Sequence, residues 1–134
     1  QGLRDYVQRL MANILLANGD AHLKNWSLLY PDRRTPILAP AYDLLFTQVY
    51  VEGEDGLALN LAKNKHYYDF SLDHWRRFAE KTGLDEKQVL GAVREVVDNA
   101  RATWPHLLET LPMVPEHKER LIEHWARLRP EFRI

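Results

Sequence analysis

The stretch Asn18-Gly19-Asp20-Ala21-His22-Leu23-Lys24-Asn25 crowds into a few residues several groups that can move a proton or hold a cation. A second acidic residue closes the segment Ala39-Pro40-Ala41-Tyr42-Asp43. Phosphoryl transfer from ATP needs such a set. A carboxylate must orient the attacking hydroxyl and take its proton, and hard oxygen ligands must hold Mg²⁺ between the phosphates. Kinase catalytic loops of the form H-R-D-x-x-x-x-N place the base Asp and a metal-binding Asn five positions apart, and a second metal-binding Asp follows a β pair. Asp20 and Asn25 have that spacing, and Asp43 stands where the second ligand belongs. Lys24 is suited to neutralising charge on the transferred group. His22 is within reach of Asp20 or the loop backbone, where a hydrogen bond holds the base in place. Spacing alone equally allows a plainer role, in which Asn18, Gly19 and Asp20 cap and turn the chain and Asn25 starts a strand.

The elements that must position these residues can be read from periodicity. Leu3, Tyr6, Val7, Leu10, Met11, Ile14 and Leu15 recur at three- and four-residue steps, which predicts an amphipathic helix over 2–17. Asn18-Gly19 is the expected stop, since both residues tolerate the left-handed conformation that closes helices. After the catalytic loop (18–25), Trp26, Leu28 and Tyr30 alternate with their neighbours, Pro31-Asp32-Arg33-Arg34 is a turn, and Ile37-Leu38-Ala39 resumes an apolar run. This predicts a β-hairpin over 26–42, whose closure brings Asn25 and Asp43 together so that Asp20, Asn25 and Asp43 face a common point. Residues 43–70 read mostly as loop, with one short helix or strand around Leu57, Leu59 and Leu61.

From Ser71 the pattern is helical to about residue 130. Ser71 is a suitable N-cap, Trp75, Phe78 and Ala79 form one apolar face, and Gly83 is a stop. Asp85 and Gln88 have capping-box spacing for a helix with the stripe Val89, Val93, Val96, Val97 and Ala100. Pro105 is expected to break or kink it. Pro115 suits the first position of a last helix carrying Leu121, Ile122, Trp125 and Leu128. The fold class is mainly α with a small β-hairpin, in a single domain over 1–134.

Composition narrows the function classes. The 134 residues carry 18 Lys+Arg against 19 Asp+Glu, a net charge of −1, so no global field draws the chain to nucleic acid or anionic membrane. Cysteine is absent, which excludes disulfides, thiol nucleophiles and Cys-ligated metals and fits a cytoplasmic setting. No apolar run approaches the roughly 20 residues that span a bilayer, so no membrane role is expected. The first residue is Gln and opens almost directly into a helical pattern, which suggests a piece of a longer protein.

Asn18-Gly-Asp-Ala-His-Leu-Lys-Asn25-Trp-Ser followed by Leu38-Ala-Pro-Ala-Tyr-Asp43 resembles the C-terminal half of HipA-type toxin kinases. The family pattern is an Asp-x-His-x-Lys-Asn-[aromatic]-Ser loop and then a Pro-x-Tyr-Asp segment. The resemblance continues more loosely through Leu57–Lys63 and Asp69–Leu72 into the helices. It implies the largely helical C-terminal lobe of a protein-kinase-like fold, in a serine/threonine kinase that uses Mg²⁺ and ATP. By it Asp20 matches the catalytic base, Asn25 and Asp43 the Mg²⁺ ligands, and His22 and Lys24 the other polar loop positions; Lys24, Asn25 and Asp43 are the residues expected at the nucleotide. It implies as partners a protein substrate such as an aminoacyl-tRNA synthetase and a helix-turn-helix antitoxin, with DNA reached only through that antitoxin. Such a kinase also needs a β-rich N-terminal lobe. Gly53-Glu54-Asp55-Gly56 is too acidic to cradle phosphates and follows the loop, so the chain alone is expected to transfer phosphate poorly or not at all.

Two other readings use the same residues. A small-molecule phosphotransferase of the aminoglycoside- or choline-kinase kind shares an Asp-x-His-x-x-Asn loop, although Lys24-Asn25-Trp26-Ser27 and Ala41-Tyr42-Asp43 favour the toxin class. A non-catalytic binding domain is the third. The four Trp residues are expected in the core, and Tyr67-Tyr68 is expected to pack its segment on the helices. His117 and His124, seven apart, are expected on a solvated helix edge. Arg76-Arg77 and the group Lys63, Lys65 and His66 are expected in solvent.

Overall fold

The apolar spacing at the start of the chain folds as helix α1 (Gly2–Leu16) in a computed structural model that describes residues 2–134. The expected domain begins at Gln1, which lies outside the described residues. Val7, Met11, Ile14 and Leu15 are buried on one face of α1, and their principal partner is α3 (Glu86–Thr110). Arg4 of α1 also pairs with Glu95 of α3.

The end of α1 departs from expectation. The left-handed residue is neither Asn18 nor Gly19 but Ala17, with φ 53°. Ala17 N donates to Ile14 O at 3.2 Å and Asn18 N to Asn13 O at 3.0 Å, the paired closing bonds of a Schellman motif. A left-handed alanine costs roughly 1 kcal/mol, and full burial of the Ala17 methyl offsets it. Asn18 is also fully buried. Its Nδ2 donates to Asn13 Oδ1 at 2.7 Å, and its Oδ1 accepts from Asp20 N at 3.1 Å. Asn13 Nδ2 in turn donates to Arg9 O.

The expected hairpin forms, with β1 (Leu28–Leu29) paired antiparallel to β2 (Ile37–Leu38) in the register Leu28↔Leu38 and Leu29↔Ile37. Asp32 ties its tip. One carboxylate oxygen accepts from Arg34 N and Thr35 N, and the other accepts from the Thr35 hydroxyl. These bonds, led by that hydroxyl, hold the Asp32 carboxyl at about 2.

Residues 43–70 are more ordered than expected. They contain a second antiparallel pair, β3 (Gly56–Leu61) and β4 (Asn64–His66), in which Leu61 faces Asn64. The two residues between them, Ala62 and Lys63, have φ 49° and 66°. That is the geometry of a type I′ hairpin turn, which normally uses Asn and Gly. Neither residue type announces it, so the turn is invisible to composition.

Helix α2 (Leu72–Thr82) starts at Ser71, whose backbone N donates to His74 Nδ1 at 3.2 Å, and stops at left-handed Gly83 with φ 69°. Asp85 caps α3 by accepting from Gln88 N at 2.9 Å. Pro105 does not break α3, which continues to Thr110. A proline removes one ladder bond and crowds the preceding turn, but burial of Val97, Ala100 and Leu108 on either side holds the helix together. Helix α4 (Pro115–Arg127) begins on Pro115 as expected and buries Leu121 and Trp125. Ile122 lies on α4 as expected but is 53% exposed, beside the buried face. The chain then closes under Arg101, whose guanidinium donates to the carbonyls of Glu131 and Arg133.

His124 is a correction. It is 1% exposed rather than on a solvated edge. Its Nε2 lies 2.7 Å from Ile14 O and its Nδ1 lies 3.0 Å from the Tyr68 hydroxyl. A carbonyl only accepts, so Nε2 carries the proton and Nδ1 accepts from Tyr68. Gln48 Nε2 donates to the same Tyr68 oxygen at 3.0 Å. The next residue, Trp125, donates Nε1–H to Leu15 O at 2.9 Å. Helix α4 therefore supplies donors to the last-turn carbonyls of α1. Tyr67 is buried as expected, edge-on to the His124 ring.

Two outcomes follow. Burial holds the His124 imidazole down to about 4, opposed by the Ile14 bond and aided by Arg127. The unfolded chain therefore takes up the proton first as pH falls below the ordinary histidine value near 6.5, and stability is lost between about 6.5 and 4, by up to about 3 kcal/mol. Urea unfolding at pH 7 and pH 4.5 should show that loss in the wild type and a much smaller one in His124→Gln. Asn18→Ala leaves Asp20 N and Asn13 Oδ1 without a partner in a dry site, so the urea midpoint should fall by the equivalent of about 2 kcal/mol or more, with faster amide exchange at Asp20.

Candidate active site

The loop leaves α1 at Asn18 and is knotted on one carbonyl. Asp20 O accepts from His22 N at 2.8 Å and from Asn25 Nδ2 at 2.7 Å. A short helical turn over Leu23–Asn25 follows, with Asn25 N on His22 O. The Asp20 carboxylate is exposed. His22 Nε2 lies 3.8 Å from Asp20 Oδ1, too far for a hydrogen bond but within ion-pair reach when the imidazole is protonated. The bond His22 does make to Asp20 runs through the backbone. Lys24 is exposed and makes no side-chain hydrogen bond or ion pair among the described residues.

The hairpin brings Asp43 back as the spacing predicts. Ala39 N on Ser27 O extends the pairing beyond β2. The Tyr42 hydroxyl then donates to Lys24 O at 2.9 Å and lies 2.7 Å from the Ser27 hydroxyl. Since the Tyr42 proton is committed to the carbonyl, Ser27 donates to Tyr42. Asn18 Nδ2 reaches Asp43 O at 3.4 Å. Asp43 is left-handed, with φ 56°, a region that Asp tolerates better than most residues and that recurs at functional positions.

Asn25 and Asp43 line one narrow polar crevice of about 10 Å³, along with Asn13, Asn18 and Tyr42. Of the five expected residues, these two are brought together. Asp20 is joined to them through its carbonyl, while His22 and Lys24 stand outside the crevice. The pair suits a hard cation. Asn25 must offer its nitrogen to Asp20 O, which leaves Oδ1 as its ligand atom, and Asp43 adds a carboxylate. Among the described residues no group of three or more His, Cys, Asp or Glu side chains gathers to hold a metal. Mg²⁺ does not need one, since it keeps several waters and binds through one or two protein ligands with phosphates. A larger apolar hollow of about 260 Å³, walled by Trp104, Leu107, Leu111 and Trp125, meets the crevice only at Leu44 and includes none of the five.

Sequence reasoning missed the residues that brace the loop. Thr47, buried on the short helical turn Thr47–Val49, accepts Gly19 N on its hydroxyl at 2.8 Å, and that hydroxyl lies 2.5 Å from Glu54 Oε2. A Cβ on Gly19 would sit 2.3 Å from Glu54 Cδ, so the glycine makes room for this acidic side chain. The only sequence signal was the glycine itself, and it does not name its neighbour.

Comparison with known proteins agrees with this architecture. The model of the HipA-like C-terminal domain matches residues 1–104. A protein of Sinorhizobium fredii with the printed name "Putative kinase Y4dM" is 46% identical over 120 residues, which is 90% of this chain and 29% of that protein. A "Putative kinase" of Haemophilus influenzae is 32% identical over 102 residues, 65% of this chain and 29% of its own. The chain thus spans less than a third of the length of these relatives. In solved structures, HipA of Shewanella oneidensis MR-1, in complex with HipB and operator DNA, superposes with a TM-score of 0.73 at 21% identity. That match covers 93% of this chain and 31% of HipA, and it places the helical bundle with its small antiparallel sheets on the HipA fold. No helix among the described residues is long and apolar enough to cross a membrane. On the family match and the extent of these likenesses, the chain belongs to the HipA-like C-terminal domain family.

Proposed function

We propose that this domain supplies the catalytic loop and cation ligands of a Mg·ATP-dependent protein kinase that phosphorylates serine or threonine hydroxyls, and that the kinase is the toxin of a toxin–antitoxin pair. The observation that carries the reading is the shared crevice of Asn25 and Asp43, with Asn25 fastened to the carbonyl of Asp20. Asp20, exposed at the loop surface, orients the acceptor hydroxyl and takes its proton. Asn25 Oδ1 and the Asp43 carboxylate hold Mg²⁺. Bound there, the cation would supply positive charge to offset that of the phosphates. Lys24, whose long exposed side chain has no partner among the described residues, steadies charge on the transferred group. His22 keeps the loop closed through its backbone bond to Asp20. The kinase names of the relatives support the reaction class. The presence of HipB and operator DNA with the Shewanella HipA supports a DNA-binding antitoxin as partner.

The test uses the gene product in which this sequence lies, incubated with labelled ATP, Mg²⁺ and host lysate. Label should appear on a protein band, and Asp20→Asn should lower its rate of appearance by about a hundredfold or more. Label confined to small molecules would replace the protein acceptor with a small one, and no transfer would leave a binding domain. Asp43→Asn should weaken Mg·nucleotide binding by at least about tenfold. Asn is as much at ease as Asp in the left-handed region, so the circular dichroism melt should not move. Unchanged nucleotide affinity in Asp43→Asn would remove that residue from the ligand set.

A further inference from the structure

Beside the catalytic loop lies a second, drier hollow of about 110 Å³. Its walls are Tyr6 and Leu10 of α1, Trp26 after the loop, Leu57 and Leu59 of β3, and Phe78 of α2. Tyr6 joins the rings into one wall, its centroid 4.7 Å from that of Trp26 and 6.4 Å from that of Phe78. The hollow adjoins the crevice that holds Asn25 and Asp43, since Asn13, Ala21 and Trp26 line both. Ala21 directly follows Asp20. A group seated in this hollow therefore sits one residue from the proposed base.

We infer that this hollow is the acceptor subsite of the proposed kinase, and that it takes one apolar side chain, of leucine or methionine size, from the protein segment that carries the phosphorylated hydroxyl. The inference rests on the phosphotransfer reading and adds the class of substrate to it. The chemistry of the walls selects the occupant. A sugar or polyamine seated against Leu57, Leu59 and Phe78 would lose water from its polar groups without regaining hydrogen bonds. An aliphatic side chain loses nothing there and removes apolar surface from water. The amide side chains of the lining offer a polar guest little: Asn13 is buried and already bonded to Asn18 and Arg9 O, and only Asn60 is exposed. Asn60 is placed to meet the backbone of an extended segment.

The deciding experiment separates binding from turnover. The 134-residue chain, labelled for methyl and indole NMR, is titrated with short seryl peptides that carry leucine on both sides of the serine, and with matched peptides carrying aspartate there. The leucine peptides should shift the Trp26 indole and the Leu57 and Leu59 methyl signals saturably, and the aspartate peptides should not. Leu59→Asp should weaken the effect about tenfold or more, while Leu59→Met preserves it and guards against misfolding. No shift at these residues at millimolar peptide, or equal shifts with aspartate, overturns the inference. In the gene product, Leu59→Asp should raise the KM for the acceptor protein about tenfold and leave the KM for ATP as in the wild type. Peptide shifts without phosphate transfer would retain the subsite and sink the kinase; transfer indifferent to Leu59 would do the reverse.

Discussion

The site depends on how helix α1 ends. The last turn of any helix leaves carbonyls without an intrahelical partner, and a buried end must find donors for them. Here Asn13 O takes Asn18 N, Ile14 O takes Ala17 N and His124 Nε2, and Leu15 O takes Trp125 Nε1. Two neighbouring side chains of α4 thus fix the point at which the loop carrying Asp20 departs. The bond to Ile14 O requires only that Nε2 carry a proton; the Tyr68 hydroxyl on Nδ1 selects that tautomer, and burial keeps the ring neutral.

The opposite wall of the site is held from the same helix. Arg120 donates to Gln48 O, and the Arg127 guanidinium lies 3.9 Å from the centre of the Tyr68 ring. Gln48, Tyr68, His124 and Ile14 then form a directed run of hydrogen bonds from the segment after Asp43 to the end of α1. Thr47 and Glu54 close the remaining gap at Gly19. Asn18 joins the two walls, with bonds to Asp20 N on one and Asp43 O on the other. The residues that would do chemistry are mostly exposed, and those that position them are mostly buried.

What the sequence made readable was local. The apolar steps of α1, the Pro31-Asp32 turn and the Ser71, Asp85 and Pro115 helix starts all rest on interactions within a few residues, and the fold class and the approach of Asn25 to Asp43 followed from them. What it hid depended on distant partners or on residue types in unusual roles. His124 gave no sign of burial because its acceptor lies on another helix. The β3–β4 turn was missed because Ala62 and Lys63 do the work usually given to Asn and Gly. Ala17 took the left-handed role expected of Asn18 or Gly19 because the helix closes one residue earlier, and its methyl is fully buried there. Pro105 was expected to break or kink α3, but the helix runs on through it, since packing along α3 outweighs one lost hydrogen bond.

The bonds from His124 and Trp125 to Ile14 and Leu15 span 110 positions of sequence. A ribosome adding residues at about 5–20 per second takes roughly 5–20 s to cover that distance. During that interval the loop carrying Asp20 has emerged while the helix that anchors it has not been made. The nascent chain therefore lacks the donors that fix this loop until translation of the domain is nearly complete, and the order of synthesis separates the making of the loop from its anchoring.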